Sequence, residues 1–369
     1  MTSVDTQAES SIADLARLAR QSSDLIVALQ DPSGAYPASP TFSAYRGYCW
    51  FRDGAYIADG VSSMGEVQSA SAFFDWCARI LEGRAEQIDG IVSAADAGAP
   101  VPDADMLPTR FTFDGRDGDD EWWDYQLDGY GTWLWAVVAH AERHGLALDR
   151  WSRAIALTVA YLRSSWQRPC FDWWEESADQ VHGSTLGCIA GGFIAVDRAG
   201  LASLTDEIAA IRATMTERGL HDGHLAKWLG STAVDGSLAS VVYPLAVFPP
   251  HTAVGAATIA AIENQLTVGN GVHRYLDDTF FGGGQWPLLS CMLGIAYVDA
   301  GDEARALELL RWASTQFTAE GHLPEQVAEH LLDASMTQEW VDRWGTVATP
   351  LLWSHAMFAR LAVELGVAK

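Results

Sequence analysis

Apolar residues recur at helical spacing along most of the chain, and this pattern constrains the fold more than any other feature of the sequence. In the segment 203–217, one apolar stripe consists of Leu204, Ile208, Ile211 and Met215. This spacing places the four side chains on one face of a helix. Sustained alternation of β-branched and polar residues, which would indicate a large sheet, is scarce. The sequence therefore predicts an all-α protein.

The predicted helices come in pairs that are joined by loops. Ser11 and Asp14 form a capping box at the start of the first helix. The following helices are predicted at 53–81, 129–144, 149–164, 184–199, 203–217, 236–247, 252–267, 288–299 and 302–316. A last helix is predicted to start with Thr349 as N-cap and Pro350 as its first residue. A ring of such hairpins would form one domain over residues 1–369, with the connecting loops at one end.

The charge balance restricts the partners of the chain. Its 48 acidic and 23 basic residues give a net charge of −25. A nucleic-acid binder needs a basic surface, and an anionic membrane would repel this chain. No apolar run approaches the length of a membrane span, and the N-terminus lacks a signal-peptide pattern. We therefore expect a neutral small ligand, a cytoplasmic location and no nucleic-acid or membrane partner; the pattern does not define the oligomeric state.

Several site types find no support in the sequence. The five cysteines are scattered without CxxC spacing, and the ten histidines form no metal-binding pair such as HExxH. No GxSxG elbow supports a serine hydrolase. We therefore expect neither a metal nor a cofactor. The Pro- and Asp-rich stretch 96–120 is predicted to be an exposed excursion.

The chain contains 16 tryptophans, which is unusual for its length. Core packing accounts for part of them. Aromatic rings also stack on the apolar faces of sugars, while carboxylates bind sugar hydroxyls. The combination of many tryptophans with many acidic residues therefore favours a saccharide as the ligand.

Five loop segments combine aromatic side chains with arginine and acidic residues. They are 48–53 (YCWFRD), 121–128 (EWWDYQLD), 173–176 (WWEE), 274–279 (RYLDDT) and 322–326 (HLPEQ). Each segment lies next to a predicted helix. In a ring of hairpins, all of them would open onto the same end and could surround one pocket.

Glycoside hydrolysis requires two carboxyl groups, one that donates a proton and one that activates water or attacks the sugar. Glu175 follows Trp173 and Trp174 and precedes Glu176, so an apolar wall and a like charge would keep it protonated. An exposed acidic helix start explains the same residues equally simply. Glu325 follows a proline on a predicted turn, where an isolated glutamate usually has no role.

The arginines of these segments also allow two interpretations. Arg52 and Asp53 form either a clamp for two sugar hydroxyls or an ion pair at a helix start. Arg274, with Asp277 and Asp278 nearby, forms either a sugar contact or a structural salt bridge.

Taken in order, these segments resemble glycoside hydrolase family 15, the glucoamylase family, from about residue 45 to residue 362. Residues 50–53 resemble the family's W-T-R-D segment, and 174–176 resemble its W-E-E motif. Residues 274–286 are similar to R-Y-x-x-D-T…W, and 323–326 to L/M-S-E-Q. Residues 349–354 resemble the closing T-P-L-T-W-S. The resemblance implies an (α/α)₆ barrel.

The resemblance also implies roles for individual residues. Glu175 would be the general acid and Glu325 the general base of an inverting, exo-acting α-glucosidase. Independently of the resemblance, the place of Tyr48 beside the Arg52–Asp53 pair suggests that it orients the attacking water or assists the base. The residues expected to bind substrate are Trp50, Arg52, Asp53, Trp122, Gln126, Trp173, Trp174, Glu176, Arg274, Asp278, Phe281 and Trp353.

The substrate is less closely defined. Phe280 and Phe281 stand where the family often has tyrosines, which would change contacts near the leaving group. We expect short α-glucosides, with α-1,6-linked isomaltose as the first candidate. The alternatives are an α-1,4-specific glucoamylase, a trehalase or a glucodextranase. An inverting phosphorylase and a non-catalytic sugar-binding protein are alternatives of other classes.

Overall fold

Helices dominate residues 10–369, the part of the chain that the computed structural model describes. Their bounds are α1 Ile12–Leu29, α2 Phe51–Ser63, α3 Val67–Gly83, α4 Ala85–Asp96, α5 Asp128–His144, α6 Ser152–Ser165, α7 Gly183–Arg198, α8 Thr205–Arg218, α9 Leu238–Val242, α10 Ala253–Leu266, α11 Pro287–Asp299, α12 Glu303–Ser314, α13 Thr337–Trp344 and α14 Leu352–Glu364. The prediction of an all-α fold is confirmed.

The strands are short and occur in antiparallel pairs. Tyr48–Trp50 pairs with Arg110–Thr112. The other two pairs are Leu220–His221 with His224–Leu225, and Thr267–Val268 with Gly271–Val272. Each of these two pairs connects the end of an outer helix to the loop that follows it.

Six helices form a closed inner ring. In order of contact they are α2, α5, α7, α9, α11 and α14, and α14 packs again on α2. The helices α1, α3, α6, α8, α10 and α12 pack on the outside of this ring. Each outer helix precedes an inner helix in the sequence, so the outer-to-inner connections all lie at the N-terminal end of the inner ring. This arrangement is the predicted (α/α)₆ barrel.

Glycine sets the spacing between two neighbouring inner helices. A Cβ atom added at Gly131 of α5 would lie 2.5 Å from the carbonyl carbon of Cys188 in α7, and one added at Gly192 would lie 2.5 Å from the carbonyl oxygen of Gly131. A side chain at either position would force the helices apart. The close approach therefore fixes the start of α5 relative to the loop that leads into α7.

Two predicted helices are shorter than expected. The predicted helix 53–81 is two helices, because the chain turns at Gly65, whose φ angle of 88° favours glycine. The predicted helix 236–247 ends at Val242, since Pro244 has no N–H with which to continue it. Both departures result from a local residue that interrupts an otherwise continuous apolar pattern.

The last helix begins two residues later than predicted, at Leu352. The Thr349 hydroxyl bonds to the carbonyl of Val347 instead of capping the helix. The backbone N–H of Leu351 is taken by the carbonyl of Leu323, 2.9 Å away. This extended segment thus pairs with the chain that carries Glu325 before the helix starts.

The stretch 96–120 is only partly the exposed excursion that its composition predicts. Residues 97–105 are largely exposed. The strand Arg110–Thr112, however, pairs with Tyr48–Trp50, and Phe111 is buried in the core. Among residues 10–369, no helix is both long and apolar enough to cross a membrane.

Candidate active site

A cavity of about 160 Å³ opens at the N-terminal end of the inner ring. Tryptophan is the most frequent residue of its wall. The tryptophans are Trp50, Trp122, Trp123, Trp173, Trp174, Trp286, Trp340, Trp344 and Trp353. The charged residues of the wall are Arg52, Asp53, Glu175, Glu176, Arg274 and Glu325. The cavity therefore combines apolar ring surfaces with a few buried charges, as a sugar pocket requires.

Glu175 is carried by a tight turn between α6 and α7. Its φ angle of 66° is in the left-handed region, which is uncommon for a residue other than glycine. Asp172 holds the turn, since its Oδ1 accepts the backbone N–H groups of Trp174 (2.9 Å) and Glu176 (3.0 Å). The strained backbone of Glu175 is thus stabilised by neighbouring hydrogen bonds.

Three N–H donors converge on one oxygen of Glu175. Its Oε1 accepts from Nε1 of Trp50 (2.8 Å), Nε1 of Trp122 (3.1 Å) and Nε2 of Gln126 (3.2 Å). An oxygen surrounded by donors cannot itself carry a proton. When Glu175 is neutral, its proton must therefore lie on Oε2. This geometry suits a general acid, which donates its proton from a defined atom.

A buried lysine forms ion pairs that stabilise the turn carrying Glu175. Lys227 lies 2.9 Å from Asp235 and 3.3 Å from Asp172, and its side chain is 5% exposed. Asp235 in turn accepts the indole N–H of Trp174 at 2.9 Å. Burial would lower the pKa of Lys227, but the two carboxylates raise it, so the ammonium stays charged. No pattern in the sequence predicted that these residues contact one another.

Glu325 lies in an extended segment that pairs on both sides. Its backbone N–H bonds to the carbonyl of Ala348 at 2.9 Å, and Val327 exchanges two backbone hydrogen bonds with Gln285. The residue is only 2% exposed. The turn predicted from Pro324 is therefore a short strand-like segment that holds the carboxyl group in the wall of the cavity.

Burial governs the proton affinity of Glu325. Desolvation raises its pKa to about 8, against the opposing effects of a hydrogen bond from Tyr45 and the positive charge of Arg274. The Tyr45 hydroxyl donates to Oε1 at 2.9 Å. The buried Oε2 has no protein partner. This oxygen is therefore free to accept a hydrogen bond from a water molecule.

Tyr48, in contrast, does not lie in the wall of this cavity. Its hydroxyl donates to Asp120 at 2.7 Å, and its ring packs against the guanidinium group of Arg110. The contact with the base that was expected of Tyr48 is made by Tyr45, three residues earlier. Tyr45 lies in the turn before the strand and reaches Glu325, whereas Tyr48 is the first residue of the strand, which pairs with residues 110–112.

Arg52 occupies the floor of the cavity and is held by two other side chains. Its Nη1 donates to Gln126 at 2.6 Å and to Asp128 at 3.0 Å. Gln126 uses its amide nitrogen for Glu175, so one side chain connects the arginine to the acid. Asp128 is fully buried at the start of α5, and the sequence analysis did not include it among the site residues.

Asp53 lies beside Arg52 but is less completely paired. Its Oδ2 is 3.6 Å from Nε of Arg52 and has no hydrogen-bond partner in the protein. Burial raises its pKa to about 7, although the guanidinium group of Arg52 opposes this rise. The pair is thus more than a helix-start ion pair, because an unsatisfied carboxylate oxygen faces a cavity and can accept a ligand hydroxyl.

Arg274 is a structural ion pair and a wall residue at once. Its guanidinium group donates to both oxygens of the buried Asp278, with Nε at 2.7 Å from Oδ2. It also lies 3.5 Å from Oε1 of Glu176, whose other oxygen accepts the Tyr275 hydroxyl. Both carboxylate oxygens of Asp278 are therefore bonded to Arg274. Arg274 and Glu176 line the cavity.

The remaining predicted residues divide between this cavity and a neighbouring one. Trp173, Trp174 and Trp353 line the main cavity, and Trp353 stacks on Tyr56 with ring centroids 5.2 Å apart. Phe281 lines a second cavity instead, and Phe280 takes its place in the main wall. The positive φ of Phe281 (50°) turns its side chain away from that of its neighbour.

Other wall residues had weak signals in the sequence. Phe42 and Tyr45 come from the loop before α2, and Trp340 and Trp344 come from α13. The spacing of the two tryptophans, four residues apart, is the one pattern that could have revealed them. Among residues 10–369, no group of three or more histidine, cysteine, aspartate or glutamate side chains could hold a metal ion.

Comparisons with known proteins identify the family of this chain. Residues 14–227 match the family model described as glycosyl hydrolases family 15. Over 363 residues, the chain is 53% identical to an isomaltose glucohydrolase from Kribbella flavida, covering 96% of this chain and 94% of that protein.

Solved structures give the same result. A wild-type glycosidase superposes with a TM-score of 0.94 at 53% identity, covering 97% of this chain and 98% of the other. A variant of that glycosidase was solved in complex with glucose and superposes equally well. A glucoamylase from Saccharomycopsis fibuligera has a TM-score of 0.72 at 13% identity, covering 99% and 98% of the two chains, which supports the barrel fold alone.

Proposed function

This chain belongs to glycosyl hydrolase family 15, and from that premise we propose that it is an inverting α-glucosidase that releases glucose from the non-reducing end of short α-glucosides. The observation that carries the proposal is the pair of carboxyl groups in one cavity. Glu175 accepts three N–H donors on Oε1 and leaves Oε2 as the oxygen that can carry a proton, and Glu325 is a buried carboxyl group with one unpartnered oxygen.

The proposed reaction follows from these two environments. Glu175 donates the proton on Oε2 to the glycosidic oxygen while the bond from this oxygen to C1 breaks. Ionised Glu325 removes a proton from a water molecule, whose oxygen bonds to C1 from the opposite face. The product is therefore β-glucose, as expected when a base-activated water rather than a carboxylate attacks. In this scheme, the role once expected of Tyr48 belongs to Tyr45.

The floor of the cavity would hold the sugar at the non-reducing end. Arg52 and Arg274 donate to hydroxyl groups, and the free Oδ2 of Asp53 accepts from one. Trp353 covers an apolar ring face. A closed floor of this kind admits only the end of a saccharide, which is the structural basis of exo action.

We propose isomaltose as the preferred substrate. The support is the 53% identity to an isomaltose glucohydrolase over nearly the full length of both chains. The test is a panel of glucose disaccharides at equal concentration, with isomaltose, maltose and trehalose, in which free glucose is measured. Isomaltose should give the largest kcat/KM. A larger value for maltose or trehalose would change the proposed linkage but not the reaction.

The stereochemistry tests the reaction itself. Proton NMR spectra recorded within the first minutes should show β-glucose ahead of mutarotation. Initial formation of α-glucose, or a requirement for phosphate, would overturn the proposal. Glu329→Gln is the matched control for a Glu325→Gln variant. Glu329 is exposed and lies four residues from Glu325, so its substitution should leave the rates at wild-type values.

A further inference from the structure

Helix α13 stands outside the two rings of the barrel. It comprises residues Thr337–Trp344 and packs mainly on the one-turn segments Phe280–Gly282 and Ala334–Met336. None of its eight residues is fully buried. Trp340, Val341 and Trp344 pack against the edge of the hydrophobic core while remaining partly exposed, so core packing alone does not explain the two tryptophans.

Both tryptophans of α13 face the main cavity. Trp340 and Trp344 are one helical turn apart and both line its wall. The Trp340 ring meets that of Phe280 edge-on, with centroids 4.8 Å apart, and Trp344 approaches Phe42 at 6.4 Å. Arg343 lies over both indoles, 5.5 Å and 5.0 Å from their centroids. The helix thus forms an aromatic part of the cavity wall, and ring contacts and Arg343 hold its two indoles in place.

Exposure shows which part of the cavity this wall belongs to. The floor residues Arg52 and Trp353 are each 3% exposed. Trp340 and Trp344 are half-buried, and Trp123 is 37% exposed. The floor is therefore deep and charged, whereas the outer part of the cavity is ringed by partly exposed indoles. The outer part is where the leaving portion of a substrate would lie.

Trp340 has an additional property of a ligand-binding residue. Its indole Nε1 is buried but has no hydrogen-bond partner in the protein. A buried N–H without a partner is destabilising unless a ligand or water satisfies it. The Trp340 ring lines the cavity, and its N–H has no protein acceptor that would compete with a ligand hydroxyl.

We propose that α13 sets the chain-length specificity of the enzyme. The Nε1 of Trp340 donates to a hydroxyl of the leaving glucose, and the indole of Trp344 packs on its apolar face. Because these side chains close the outer part of the cavity, a third sugar unit collides with them and a disaccharide is preferred. This inference rests on the proposed α-glucosidase activity and identifies the part of the chain that selects among its substrates.

Three substrates separate this role from a structural one. Isomaltose has one leaving glucose, isomaltotriose has two, and α-glucosyl fluoride has none. In Trp340→Ala and Trp344→Ala, the ratio of kcat/KM for isomaltose to that for isomaltotriose should fall at least tenfold. The loss with isomaltose should also exceed the loss with α-glucosyl fluoride by at least tenfold. Trp340→Phe, which keeps a ring but removes the donor, should lose about three- to tenfold on isomaltose and nothing on α-glucosyl fluoride.

Val341→Ala is the matched control on the same helix, because Val341 lines only the second cavity. It should leave both ratios at their wild-type values. Unchanged ratios in the two alanine variants, or equal losses on all three substrates, would overturn the inference while leaving the proposed function intact. A wild-type enzyme that hydrolyses none of the substrates would overturn the proposed function, and this inference with it.

Discussion

Glu175 stands half-buried on a tight turn and accepts three N–H donors on one oxygen, whereas Glu325 is buried in an extended segment and accepts a single hydroxyl. The turn of Glu175 is held by the carboxylate of Asp172. The segment of Glu325 is held by backbone pairing to Ala348 on one side. Side-chain hydrogen bonds therefore position Glu175, whereas backbone hydrogen bonds position Glu325.

The difference shows how one cavity can prepare two carboxyl groups for opposite tasks. Donors that converge on Oε1 of Glu175 determine which oxygen carries the proton, and so where it can be delivered. Desolvation raises the pKa of Glu325 and so increases its affinity for a proton taken from water. The acid thus depends on the direction of its hydrogen bonds, and the base depends on burial.

The largest predicted effect separates the two roles. Glu175→Gln and Glu325→Gln should each lower kcat on isomaltose about 10²–10⁴-fold, which is the usual contribution of a general acid or base. The losses should differ with α-glucosyl fluoride, because fluoride leaves without a proton from the enzyme. Initial rates on both substrates provide the measurement.

For Glu175→Gln, the loss on the fluoride should be at least ten times smaller than the loss on isomaltose. For Glu325→Gln, the two losses should be similar, since both reactions need an activated water. If the pattern were reversed, with the fluoride activity spared in Glu325→Gln, the assignments of acid and base would have to be exchanged.

A smaller effect is predicted for the hydroxyl on the base. The Tyr45 hydroxyl favours ionised Glu325, so its removal in Tyr45→Phe raises the pKa of that carboxyl group further. Because Glu325 must be ionised to act, the acid limb of the pH profile of kcat/KM should move to higher pH. A hydrogen bond to a charged group is worth about 1.5–3 kcal/mol, which corresponds to a loss of about 10- to 100-fold below the limb.

Tyr48→Phe is the matched comparison, since its hydroxyl contacts Asp120 outside the cavity. This variant should keep the wild-type pH profile and lose less than about threefold in rate. An acid limb that moves in Tyr48→Phe but stays in place in Tyr45→Phe would restore the original expectation from the sequence.

That expectation illustrates what the sequence could and could not predict. Helical periodicity predicted the all-α fold, because an apolar stripe must be buried wherever it occurs. The order of the motifs predicted that the segments of Glu175 and Glu325 lie at one cavity. The choice between Tyr45 and Tyr48 depended on the path of the turn at residues 43–47, which precedes the strand, and neighbours in the sequence do not define this path.

The contribution of α13 could not be predicted for a different reason. Its eight residues have no side-chain cap, and its apolar side chains are only partly buried, between the cavity wall and the edge of the core. Asp128 escaped notice because its partner Arg52 is 76 residues away in the sequence. Contacts of this kind follow from the closure of the ring, which no local pattern encodes.

The smallest predicted effect concerns stability and tests the burial of the base. The folded protein raises the pKa of Glu325 to about 8, above its unfolded value, so ionised Glu325 destabilises the fold. Its neutral form costs nothing below the unfolded pKa of about 4.3, and the cost grows as pH rises towards 8. Glu325→Gln should therefore match the wild-type Tm near pH 4 and exceed it by a few degrees at pH 8, in calorimetry at both values. Glu329→Gln, at an exposed position, should show no such pH-dependent gain. Equal Tm differences at both pH values would mean that Glu325 is solvated, and the contrast with Glu175 would then rest on hydrogen bonding alone.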